Sequence, residues 1–214
     1  MQKFIREPIN SLTHWFGALL AVIGLIALIG KAEQTGSTLS FIAVLIFGIS
    51  MILLYTASAT YHMVISKEKV IAFLRKIDHS MIFALIAGTY TPFCLISLKG
   101  TLGWTLFGII SFLGLAGILF KMVWFHCPRW LSTLLYIGMG WIAIFVIYPL
   151  MKVIGTGGIL LLILGGLLYT IGGIIYGAKP EFLKYKNWGF HEIFHIFILF
   201  GSLAHFLCIY LYVL

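Results

Sequence analysis

Charge is what this sequence has least of. Only 9% of its 214 residues are Asp, Glu, Lys or Arg, and only six are acidic, against about 25% charged in a typical soluble domain. Hydrophobic residues make up 62%. A chain of this length has no core large enough to hide so much apolar surface, so lipid must be the solvent for much of it. That excludes an ordinary soluble enzyme and leaves no room for a separate soluble domain. Cys94, Cys127 and Cys208 stand far apart with no C-x-x-C pair, which excludes a disulfide framework and a zinc ribbon. The polar start MQKFIREPINSLTHW runs into a long apolar stretch without a short apolar region and cleavage site. The first helix is therefore expected to be retained. Strict repeats and low-complexity tracts are also missing.

What is there is a series of apolar runs of spanning length, at 12–30, 39–62, 78–98, 102–121, 131–150, 157–177 and 190–213. At about 20 residues per span, these predict an all-α polytopic membrane protein with seven transmembrane helices in a single domain, 1–214. The runs are continuous and too long for barrel strands. The net charge of +8 does not point to nucleic acid, because the Lys and Arg sit in short loops rather than on one soluble face. Eleven of the fourteen fall on the side of the N-terminus and three on the other. The positive-inside rule then predicts a multi-pass protein of the cell (inner) membrane with its N-terminus in the cytoplasm. Trp15, Trp104, Trp124, Trp130 and Trp188 fall near the expected interfaces. Gly173-Ile-Ile-Tyr-Gly177 is a GxxxG, a spacing that can mark close helix packing.

The ionisable residues gather on one side of this map. His62 ends the second helix, Asp78 and His79 are expected to open the third, and His191 and His195 lie at the start of the seventh. Glu7 and His14 flank the start of the first. Ionisable groups at membrane depth are costly, which makes them functional candidates. His191 and His195 are spaced i and i+4, so one helix face presents both imidazoles to a single metal ion. His62 would complete three histidine ligands and leave a position open, the ligand count of a catalytic zinc site. Three imidazoles favour zinc among the common metals. Asp78 could hold or deprotonate water there, although a helix N-cap competes for that role. Ser58, four residues before His62, could donate to an oxyanion or bond its own helix backbone. Glu7 and His14 read as supporting or structural groups, and His79, one residue from Asp78, as facing elsewhere. His205 lies about 15 Å along the helix from His195, too far to share the metal, and is expected to bond a neighbouring helix. His191-Glu192-Ile193-Phe194-His195 matches the H-E-x-x-H protease pattern. Position 201 is glycine and no acid follows Glu192, so the third ligand of those proteases is missing.

These pieces resemble the bacterial hemolysin III proteins, within the wider family of seven-helix progestin and adiponectin receptors. The resemblance covers nearly the whole chain. It is carried by Glu7-Pro8-x-Asn10-x-x-Thr13-His14, Ser58-x-x-x-His62, Asp78-His79-Ser80, Gly88-x-Tyr90-x-Pro92 and His191-x-x-x-His195, in order and in the same helices. It implies a zinc ion near the cytoplasmic face held by His62, His191 and His195, with Asp78 contacting zinc-bound water and Ser58 beside it. It also implies kinship with membrane hydrolases such as alkaline ceramidases and a link to membrane-lipid homeostasis. The eukaryotic receptors have a long cytoplasmic N-terminal domain that this sequence lacks, which argues against a receptor role.

The expectation is a zinc-dependent hydrolase of a membrane-lipid amide or ester, with membrane lipids as its partners and Asp78 and Ser58 as its catalytic residues. The alternatives are a non-enzymatic membrane regulator with structural zinc, and a hemolysin-like pore with cytolytic action. A transporter is disfavoured because few charges lie at the expected midplane.

Overall fold

A computed structural model describes residues 4–124, 126–183 and 188–214. The described residues contain helices and turns and no β-strand. In chain order the helices are α1 (Pro8–Gln34), α2 (Thr38–Met63), α3 (Glu68–Pro92), α4 (Thr101–Val123), α5 (Arg129–Trp141), α6 (Ile147–Ala178) and α7 (Phe190–Cys208). Pro8 starts α1, where its missing N–H costs nothing. The Ser37 hydroxyl caps α2 by accepting from the Ser40 N–H at 3.2 Å. Pro92 cannot donate to the helix ladder, and α3 ends there in a π turn over Phe93–Ser97.

Among the described residues, six helical stretches are long and apolar enough to cross a membrane, the fifth being the 50-residue run Arg129–Ala178. A bilayer needs about 20 residues, so this run has the length of two spans. Gly155 breaks it, with φ +64° and ψ −179°, a conformation open essentially to glycine alone. The halves fold back on each other. The Trp141 indole N–H donates to Thr170 Oγ1 at 2.9 Å, and a methyl group on Gly173 would touch Thr133 and Ile137 at 3.4 Å. These partners are nearly equidistant from Gly155 along the chain, as in an antiparallel hairpin. The seven expected segments are thus present, the fifth and sixth joined by one glycine. Gly173 and Gly177 both face Thr133, so the GxxxG lies on the seam of this hairpin.

A short 3₁₀ stretch, Ile142–Val146, interrupts the first arm. The Tyr90 hydroxyl serves both backbone groups left over there. It donates to the Gly140 carbonyl at 2.6 Å and accepts from the Ala143 N–H at 2.7 Å.

Chain neighbours pack side by side, and α7 closes against both α6 and α1. Outward faces are apolar: Phe112 on α4 is 70% exposed and Ile26 on α1 65%, which suits lipid as solvent. Polar groups turn inward at the end of the molecule where α1 begins. There the Arg6 N–H donates to the Met63 carbonyl at 3.3 Å, joining the N-terminal segment to the end of α2. The Lys76 ammonium donates to the Met122 carbonyl at 3.1 Å, joining α3 to the end of α4. The Arg129 guanidinium stands over the Tyr176 ring at 5.5 Å, joining α5 to the end of α6. These ties set the first parts of α1, α3 and α5 beside the ends of α2, α4 and α6.

The structure corrects one expected boundary. Asp78 does not open a helix: α3 begins at Glu68, nearly three turns earlier. Lys69, Arg75 and Lys76 read as a polar loop in the sequence. Nothing between Glu68 and Asp78 breaks a helix, and long basic side chains reach the interface from helical positions. The N-cap reading of Asp78 is thereby excluded.

Candidate metal centre

His62 lies in the last turn of α2, and His191 and His195 lie in the first turns of α7. Nε2 of His191 is 3.2 Å from Nε2 of His62 and 3.2 Å from Nε2 of His195. One ligand atom from each histidine falls within 4.8 Å of the others. His62 and His195 are 1% exposed.

The opposite ring nitrogens are held by the start of α1. Glu7 Oε2 lies 2.6 Å from His62 Nδ1, and Glu7 Oε1 lies 3.2 Å from Arg6 Nε. The hydrogen bond with His62, opposed by partial burial and reinforced by the Arg6 guanidinium, holds the Glu7 carboxyl down at about 2. Glu7 is therefore ionised and can only accept, so His62 Nδ1 donates; in the neutral imidazole this leaves Nε2 as the acceptor nitrogen. His195 Nδ1 faces Thr13 Oγ1 at 3.5 Å. That hydroxyl spends its proton on the Ile9 carbonyl at 2.9 Å, which leaves it as an acceptor for His195. The amide of Asn10 donates to Glu7 Oε2 at 3.3 Å and to Glu192 Oε1 at 2.8 Å. Glu192 Oε2 in turn accepts from the Gly189 N–H at 2.8 Å, so this glutamate braces the start of α7 rather than joining the three nitrogens.

Three ring nitrogens brought this close can share one cation between them. Zn–N bonds of 2.0–2.1 Å in a tetrahedron place ligand nitrogens about 3.3 Å apart, and the two 3.2 Å spacings to His191 match that distance. The donor set is three imidazoles, with the far nitrogens of His62 and His195 oriented by a carboxylate and a hydroxyl, and such a set could hold a metal ion of the zinc type.

Asp78 is not part of this cluster. Its Oδ2 lies 3.2 Å from Nδ1 of His79, and Ser58 lies beside the same carboxylate. His79 Nδ1 also faces the Arg75 carbonyl at 2.9 Å. Both partners are acceptors, so this nitrogen carries a proton. At the other ring edge Nε2 lies 2.8 Å from the Tyr176 hydroxyl. The expectation that His79 faces away from Asp78 is therefore overturned: its ring folds back along α3 to reach its neighbour. His14 stacks on His195 with centroids 3.6 Å apart, and neither of its ring nitrogens has a hydrogen-bond partner. His205 was expected to bond a neighbouring helix, and its Nδ1 makes no such bond. It lies against the Tyr169 ring at 5.3 Å, with Nδ1 unpartnered.

A cavity of about 260 Å³ starts at this cluster and runs into the helix bundle. Its polar end is made by Ser58, Asp78, His191 and His195, and its body by apolar side chains such as Ile86, Leu150 and Ile198. The sequence reasoning missed Asn10, His79 and Tyr176. Asn10 lay within one of the recognised motifs, whereas Tyr176 carried no signal of spacing at all.

Comparison with known proteins identifies the family. The model of the family described as "Haemolysin-III related" matches residues 2–206. The chain belongs to this family. It is similar to a protein of Bacillus cereus named "Hemolysin-3", with 43% identity covering 100% of this chain and 95% of that protein. It is likewise similar to a protein of Bacillus subtilis (strain 168) named "Hemolysin-3 homolog", with 44% identity covering 97% of this chain and 95% of that protein. Such proteins are polytopic, in keeping with the apolar helices of this member.

Proposed function

We propose that this family member is a zinc-dependent hydrolase that cleaves an amide or ester of a membrane lipid at the cytoplasmic face of the cell membrane. The observation that carries the reading is the junction of three convergent histidine nitrogens with a chain-sized apolar cavity, where Asp78 and Ser58 form the shared wall. His62, His191 and His195 would hold the zinc ion, which when bound would supply Lewis acidity toward a carbonyl and acidify water. The remaining roles belong to the side chains. The apolar cavity holds the acyl chain and excludes bulk water. Asp78 Oδ2, steadied by His79 Nδ1–H, takes the proton of the attacking water. Ser58 donates to the carbonyl oxygen or to Asp78. Glu7 and Thr13 keep the far nitrogens of His62 and His195 occupied, so that both rings present Nε2 inward. The cytoplasmic placement follows from the excess of Lys and Arg on this side.

Product trapping tests this. The purified protein is incubated with extracted bacterial membrane lipids, and released fatty acids are followed by mass spectrometry. The reading requires release in the wild type and a loss of about 10²–10⁴-fold in Asp78→Asn, the range for a general base. No release above a chelator-treated control sinks it.

The name of the Bacillus cereus relative motivates a second reading, membrane lysis by this chain itself. Leakage of dye from liposomes on addition of purified protein would support it, and intact liposomes would reject it.

A further inference from the structure

Among the described residues that line the apolar cavity, His14, Thr133 and His205 carry buried polar atoms without a hydrogen-bond partner. His14 stacks on His195, at the end of the cavity with the convergent nitrogens. Thr133 faces Gly173 and Gly177. His205 stands apart from both. It lies on α7 ten residues beyond His195, about 15 Å farther along the helix, and it is 6% exposed. An imidazole at that depth in a bilayer is costly, and the unmade bond of Nδ1 adds to the cost. The fold nonetheless makes room for the ring. A methyl group on Gly165 of α6 would lie 2.6 Å from His205 Nε2, so a larger residue there would crowd the imidazole. The neighbouring hydroxyls do not supply the missing partner. Tyr55 donates to Ser202 Oγ at 2.6 Å, and the Tyr169 hydroxyl meets the same oxygen at 2.8 Å. The Tyr169 ring only packs against His205, with centroids 5.3 Å apart.

We propose that His205 recognises a hydroxyl group carried part-way along the chain of the ligand in this cavity. This rests on the chain placement in the hydrolase reading above and narrows its substrate class to lipids with a hydroxylated acyl chain. An extended chain advances about 1.2 Å per bond, one third of the span of a peptide residue, so about 15 Å corresponds to about twelve carbons from a carbonyl at the histidine cluster. A hydroxyl suits the site for two reasons. It both donates and accepts, so it pairs with a neutral imidazole whichever ring nitrogen carries the proton. It carries no charge, and burying a charge in this apolar wall would cost more than one hydrogen bond returns. A plain chain would fill the same space and leave the imidazole unpaired.

Native mass spectrometry of the full chain in neutral detergent tests the proposal with two probes, octadecanoic acid and 12-hydroxyoctadecanoic acid. Neither has an ester or amide to cleave, so binding is read apart from hydrolysis. The expected result is one acid per chain, the hydroxylated one bound about fivefold more tightly, as one added hydrogen bond gives. His205→Leu should abolish that preference while keeping octadecanoic acid binding and zinc content. It should melt no lower than the wild type, because Nδ1 has no partner to lose. His205→Gln, which keeps a donor and an acceptor, should retain part of the preference. Equal binding of the two acids by the wild type, or an undiminished preference in His205→Leu, overturns the proposal and leaves the hydrolase reading standing. A marked fall in the melting temperature of His205→Leu also overturns it, because the imidazole would then serve the fold. Binding of neither acid overturns the proposal together with the chain placement on which it rests. Failure to find hydrolysis leaves the binding result standing.

Discussion

Glu7, the residue before α1, and His62, in the last turn of α2, meet at 2.6 Å between Oε2 and Nδ1. Their backbones meet as well, the Glu7 N–H donating to the His62 carbonyl at 3.0 Å. This double tie fixes where the His62 ring stands and which of its nitrogens carries the proton. Replacing Glu7 with Gln keeps the backbone contact and removes the charge. Zinc affinity, measured by competition with a chromophoric chelator, is expected to fall about 10–100-fold, the usual loss when the partner of a ligating histidine is removed. Unchanged affinity would mean that the carboxylate does not set the state of His62.

Asp78 touches His79 and Ser58 and stands outside the group of three histidines. Asp78→Asn is therefore expected to keep the zinc content of the wild type, read by elemental analysis, even where hydrolysis is lost. Loss of zinc together with activity would make Asp78 a ligand rather than a base.

Gly155 and Gly30 both have open space where a side chain would grow, but only Gly155 has positive φ. Gly155→Ala is expected to destabilise the hairpin by about 1–3 kcal/mol through backbone strain alone. Gly30→Ala, inside α1, is expected to be neutral or to stabilise by up to about 1 kcal/mol. Unfolding of the two variants in detergent, side by side, separates conformation from packing. Equal stability would show that the break does not depend on glycine.

Much of this architecture was legible in the residues, for physical reasons. Lipid demands long apolar runs, and these marked all seven segments. His191 and His195 declared a shared face by their spacing, and His62 its place by ending a run. The break at 151–156 was visible as polar composition, but that a single glycine makes it was not. The start of α3 was hidden because basic residues at an interface look like a loop. The bond from Glu7 to His62 joins residues 55 apart, and the contact of His79 with Tyr176 joins residues 97 apart. Neither separation leaves a periodic trace. His79 was misread because adjacent helical residues point about 100° apart, while a side-chain ring can still swing back to its neighbour.

The zinc content of freshly purified, chelator-free protein tests the central claim most directly, with the wild type beside His62→Ala, His191→Ala and His195→Ala. The account predicts about one zinc per chain in the wild type, the stoichiometry of a three-histidine site, and loss of zinc in each variant. A wild type without bound metal, or zinc retained when any one of these histidines is removed, would contradict it.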